Sequence, residues 1–142
     1  MMKKLYVRGV TLFMAALPFV ASADYDESAV FTCASVDVME CLPVEGCNRV
    51  SADAVELPRF FKVDLKNKQL TAARADDTRK SVIERVEEVE GKLMLQGVEE
   101  GREGVRDGLG WTMSVDTDRG DMVLTASGEG VAFVVFGVCT SM

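Results

Sequence analysis

The stretch 109-LGWTMSVD-116 decides the fold. Leu109, Trp111, Met113 and Val115 alternate with Gly110, Thr112, Ser114 and Asp116, so one face is apolar and the other polar. A period of two is the signature of a half-buried β-strand. Directly after it, Asp118-Arg119-Gly120 predicts a type I turn with Gly120 in the left-handed position. Met122, Leu124 and Ala126 then carry the apolar face onto a return strand, completing a hairpin.

Working outward, the same pattern recurs upstream. Phe61-Lys62-Val63-Asp64 turns through Lys66-Asn67-Lys68 into Leu70-Thr71-Ala72. The two hairpins read as either an internal duplication or two solutions to one physical problem, since any half-buried hairpin needs alternation ending in turn formers. Between them, residues 81–89 are ambiguous: Ile83, Val86 and Val89 have helical spacing, whereas Val82, Glu84, Val86 and Glu88 fit a strand. Nine uncapped residues make a poor free-standing helix. The stretch is therefore read as a strand, paired through Glu90-Gly91 with residues 92–98. Residues 99–108 hold three glycines and six charged residues and predict a mobile loop.

The last strand, 131–140, is apolar on both faces, with Phe133, Val135 and Cys139 on one and Ala132, Val134, Phe136 and Val138 on the other. Such a strand is covered twice or closes a barrel. Near the amino end Phe31 and Cys33 have odd parity and Val36 and Val38 even parity, which predicts a bulge near Ala34-Ser35. The sum is an all-β domain, a single antiparallel barrel or sandwich of seven to eight strands, with no helix in the exported part. A transmembrane barrel is set aside, because only the last strand has the apolar outer face such barrels repeat.

The first 23 residues set the compartment. Lys3, Lys4 and Arg8 precede an apolar run from Val10 to Val20, Pro18 breaks its helix, and Ala21-Ser22-Ala23 offers a small-x-small cleavage site before Asp24. This is a helical secretory signal, and the run is well short of the roughly 20 residues that cross a bilayer. Cys33 lacks a lipobox before it, so no lipid anchor is expected. The organisation read from the sequence is a signal peptide at 1–23, a loose polar lead at 24–28 and one domain at 29–142. The protein is expected to be periplasmic or secreted, with no membrane association after cleavage.

Removing 23 of 142 residues leaves 119, enough for one core. It also leaves 13 basic residues against 23 acidic ones, a net charge of −10. That argues against nucleic acid, whose phosphates require Lys and Arg. All four cysteines lie in the exported part and read as two disulfides. Three pairings exist; the favoured one joins Cys41 to Cys47 around a turn at Pro43 and Gly46, and Cys33 to Cys139 between the first strand and the last. Separations of 8, 6 and 92 positions lack zinc-site spacing, and no CxxC occurs.

The chain has no histidine, which removes Ser-His-Asp and Cys-His catalysis and the commonest metal ligand. Carboxylate chemistry would need two acids flanking a cleft, but Asp76-Asp77, Glu87-Glu88 and Glu99-Glu100 fall in runs that mark solvated segments. Asp116 to Asp121 imitates an EF-hand start, yet Gly120 falls one place early and Ser127 stands where the closing Glu belongs. Arg119-Gly120-Asp121 spells an integrin tripeptide that three residues reach by chance. No catalytic, metal or cofactor residue is assigned. Trp111, the only tryptophan, reads as core or as the wall of a ligand pocket.

A cysteine near the start, the Gly-Trp strand, the Asp-turn-Gly hairpin and the closing Phe-Val-Val-Phe-Gly-Val-Cys resemble small exported proteins of Gram-negative bacteria with no assigned function. The architecture is also similar to periplasmic inhibitors of C-type lysozyme, compact barrels whose first and last strands share a disulfide, although their Ser-Gly-rich, Tyr-containing motif is missing. The first resemblance implies a source and no mechanism, so the residues themselves are read as a non-enzymatic binding domain for an envelope protein or small ligand; the second resemblance implies the alternative, an acidic inhibitor of a cationic hydrolase. In the second case the loop with Glu99, Glu100, Glu103 and Asp107 would contact the partner.

Overall fold

Alternating side chains dictate strands, and short polar turns join them in sequence. The computed structural model describes Asp26, residues 28–73 and residues 80–140. The expected signal peptide, its expected cleavage residues Ala21, Ala23 and Asp24, and the lead apart from Asp26 and Ser28 lie outside the described residues. Among the described residues nine strands form: β1 (Val30–Leu42), β2 (Gly46–Val50), β3 (Phe60–Asp64), β4 (Gln69–Ala72), β5 (Lys80–Val89), β6 (Lys92–Glu99), β7 (Leu109–Asp116), β8 (Asp121–Gly128) and β9 (Val131–Cys139).

Consecutive strands from β3 to β9 pair antiparallel, and β9 pairs back onto β1, with Cys33 opposite Cys139 and Cys41 opposite Ala132. The result is a closed antiparallel barrel of eight strands, β1 and β3 to β9. Closure removes the free edges that an open sandwich would expose.

The ninth strand explains a departure from the expected seven to eight. One edge of β1 is shared, residues 30–34 pairing with β3 and residues 38–42 with β2. Four of the five β2 residues are exposed and Val50 is half-buried, so β2 has no apolar alternation by which to be recognised. Between β2 and β3 the chain leaves the sheet in a short 3-10 helix, Ala52–Val55. Ser51 caps it, its Oγ accepting from the Ala54 N–H, and Glu56 ends it in the left-handed conformation (φ 55°).

Two bulges decide which side chains face inward. Pairing of β1 with β9 shifts between Ser35 and Asp37, one place beyond the expected position. Pairing of β5 with β6 shifts between Ile83 and Arg85. This second bulge reverses parity, so Ile83 is buried and Val86 also packs against the core. Helical spacing in the sequence was therefore the trace of a bulged strand.

The core fills the barrel with the inward rows Leu93 and Leu95, Trp111, Met113 and Val115, Met122, Leu124 and Ala126, and Phe133 and Val135. The odd-parity face of β7 is thus the buried one, as its alternation requires. β9 closes the barrel with one face covered; on the other, Phe136 and Val138 remain 44% and 47% exposed. Cys33–Cys139 and Cys41–Cys47 are both bonded. Among the described residues no helix is long and apolar enough to cross a membrane.

Candidate functional site

One end of the barrel opens into a small apolar cup. A row of paired residues runs round its rim, Leu70 on β4 facing Ser81 on β5, Ser81 facing Glu99 on β6, and Glu99 facing Leu109 on β7. One layer deeper, Ile83, Gly97, Trp111 and Ala126 follow in register. Leu57 and Pro58, from the segment after the 3-10 helix, line the same cup. That segment is fixed to β1 by Ser35, whose N–H donates to the Arg59 carbonyl (2.8 Å) and whose Oγ donates to the Pro58 carbonyl (3.0 Å).

The cavity measures about 50 Å³. Since roughly 10–15 Å³ of such space holds one water molecule and drug-sized pockets run to about 300 Å³ or more, it admits a ligand portion of a few heavy atoms rather than a large ligand.

Besides Ser35, whose hydroxyl donates to the Pro58 carbonyl, three polar side chains break the apolar wall. Trp111 is only 6% exposed, and its Nε1–H is buried with no hydrogen-bond partner among the described residues. A buried indole N–H ordinarily finds an acceptor. Ser81 is the sole buried polar residue described, and its Oγ donates to Glu99 Oε2 at 3.3 Å. Glu99 lies half-buried at the end of β6, on the inward parity of Leu93, Leu95 and Gly97. None of the ion pairs among the described residues involves it.

The four acids expected to form a contact loop are placed differently from one another. Glu99 belongs to a strand and lines the cup, so the loop starts one residue later than expected. Its inward position was readable from parity, but the adjacent Glu100 made the pair look like a solvated run. Glu100 and Glu103 are exposed on the loop. Asp107 is tied back within it, accepting from the Arg102 backbone N–H and Nε, each at 2.7 Å. The Arg102 side-chain hydrogen bond holds the Asp107 carboxyl below its usual range. Arg106 lies 3.8 Å from Glu129, so both loop arginines face carboxylates.

The Asp116 to Asp121 segment is a hairpin turn. Asp116 Oδ1 accepts from the backbone N–H groups of Asp118 and Arg119, which leaves it serving the turn. Among the described residues no group of three or more acidic or cysteine side chains is placed to hold a metal ion. Comparison with family models, curated proteins and solved structures finds no match for this chain.

Proposed function

We propose that this chain is an exported, non-enzymatic binding domain whose ligand enters the barrel mouth. The observation that carries the reading is the cup wall itself: an apolar lining that contains a buried, unpartnered indole N–H and an inward carboxylate. Buried polar groups without partners are costly in a fold and are spent where a ligand supplies the partner. Among the described residues Glu99 is the only carboxylate in the lining, whereas carboxylate hydrolysis works with two. Export rests on the leader, and the resemblance to small exported Gram-negative proteins agrees with it.

A second reading, an acidic inhibitor of a cationic envelope-active hydrolase, draws on exposed Glu100 and Glu103 at the mouth and on the charge of −10 after cleavage. It is the weaker reading, because Glu99 turns inward and Asp107 is engaged by Arg102.

Trp111 is the only tryptophan, so its fluorescence reports on the cup directly. Titration of protein purified from the periplasm with 1-butanol is expected to change Trp111 emission saturably. Ala126→Leu, which adds bulk to the wall, should remove the saturable part while far-UV circular dichroism stays that of a β-protein. A purely linear response, identical in both proteins, would mean the alcohol acts as bulk solvent and the mouth is not a site. Intact mass of the same preparation should begin at Asp24; retention of residues 1–23 would overturn export.

A further inference from the structure

We infer that the barrel mouth selects a small protonated amine carried on a short apolar chain; the ammonium, which has no acceptor, pairs with Glu99 and leaves the Trp111 Nε1–H to an acceptor elsewhere on the ligand. The inference rests on the mouth being a binding site and goes on to name the ligand chemistry. Its starting point is the situation of Glu99. On either side of it in the rim stand Ser81 and Leu109, and one layer below is Trp111. Phe61 and Leu70 line the same cup.

A carboxylate has about four acceptor positions. Among the described residues one is used, by Ser81 Oγ at the long distance of 3.3 Å. An ionised group facing an apolar wall is stabilised by a cation more than by a neutral donor, because the local dielectric is low and the charge is incompletely hydrated. No lysine or arginine whose side chain is described supplies that cation.

The surroundings suit the same ligand. Trp111 and Phe61 line the cup and give the alkyl chain of the amine apolar wall. The charge of −10 after signal removal raises the local concentration of cations and lowers that of anions. Size narrows the class further. A cavity of about 50 Å³ accepts an ammonium head and the first carbons of a chain, with the remainder lying along Leu57, Pro58 and Leu109 toward solvent. A carboxylate of the same length would meet Glu99 head on.

The test compares n-butylamine, 1-butanol and butyrate as probes of Trp111 fluorescence at constant ionic strength and at a pH where the amine is protonated. Butylamine is expected to saturate at roughly tenfold lower concentration than 1-butanol, and butyrate not to bind, as a charge-assisted hydrogen bond implies. Glu99→Gln should abolish the preference for amine over alcohol while leaving 1-butanol binding in place. Glu100→Gln, an exposed neighbour on the loop, should leave the preference intact and so separate local pairing from net charge. If Glu99→Gln does not fold, Glu99→Ala and the three-probe comparison on the unmodified protein carry the decision.

Equal binding of butylamine and 1-butanol would overturn the amine inference and leave the mouth as an apolar site. Persistence of the preference in Glu99→Gln would overturn it as well. Saturation by none of the three probes would overturn the mouth reading together with it.

Discussion

Gly97 shows how one missing side chain shapes the site. It stands inward between Leu95 and Glu99 on β6, directly opposite Trp111. A Cβ at this position would collide with the Val82 carbonyl oxygen and with Trp111 Cζ2. Glycine is therefore required for close approach, since it lets the bulged β5 backbone and the indole share the space a side chain would take. Gly97→Ala is expected to destabilise the fold by about 1–3 kcal/mol, the usual range for overpacking. It should also displace the indole. Urea unfolding followed by Trp111 fluorescence measures both effects, and an unchanged midpoint with native emission would show that the wall has slack. A glycine inside an alternating strand is a sequence signal for such approach, but it does not say which neighbour approaches. Position 97 was readable as strand, whereas its pairing with Trp111 depended on register.

The two hairpins of like sequence, β3–β4 and β7–β8, share one turn device. Asp64 Oδ1 accepts from the Asn67 N–H at 2.9 Å, and Asp116 Oδ1 accepts from the Arg119 N–H at 3.0 Å. Left-handed residues follow, Lys68 (φ 52°) and Gly120 (φ 77°). The Asn67 side chain is the first cause that holds Asp64 below the ordinary carboxyl value of 3.8, and the Arg119 backbone N–H is the first that holds Asp116 there. A carboxyl lowered on folding stabilises the native state above its unfolded pKa, and that contribution is lost as pH falls through the folded pKa. With no histidine in the chain, the melting temperature is expected to be level from pH 8 to 5 and to fall below about pH 4. The double variant Asp64→Asn, Asp116→Asn should have a shallower acid limb in thermal melts by circular dichroism; an identical limb would assign it to other acids, Asp107 first. These hairpins were legible because alternation and turn chemistry agree in them. Residues 81–89 were equivocal because a bulge breaks alternation, and β2 escaped because almost nothing in it is buried. The 3-10 helix did carry a signal, Ser51 two places before Asp53, but four residues have no periodicity to support it.

Closure of the barrel is the property of the whole molecule that local pattern does not contain. Apolarity on both faces of 131–140 left a central strand and a closing strand equally open, and only the β1–β9 pairing distinguishes them. The two disulfides relate differently to that closure. Cys33–Cys139 joins directly paired residues on the inner face of the seam, across 106 positions of sequence. Cys41–Cys47 joins β1 to β2 across only 6 positions, outside the eight-stranded ring. The seam is reinforced where the Thr140 N–H donates to the Thr32 carbonyl (2.8 Å) and the Thr32 N–H donates to Thr140 Oγ1 (3.1 Å). Restricting the unfolded chain is worth about 4.7 kcal/mol for a loop of about 100 residues and about 2.4 kcal/mol for one of about seven. Against a total of about 5–15 kcal/mol for a domain of this size, loss of the longer bridge removes a large share of stability. Cys139→Ser is therefore expected to lower the melting temperature roughly twice as far as Cys47→Ser when both are measured under oxidising conditions. Cys33→Ser should match Cys139→Ser, since each opens the same loop. Equal losses for Cys139→Ser and Cys47→Ser would mean that strand pairing holds the seam without the covalent bond. A larger loss for Cys47→Ser would place the weak point in the β1–β2 hairpin, beside the segment that carries Leu57 and Pro58 into the cup, and would make the outer bridge the one on which the mouth depends.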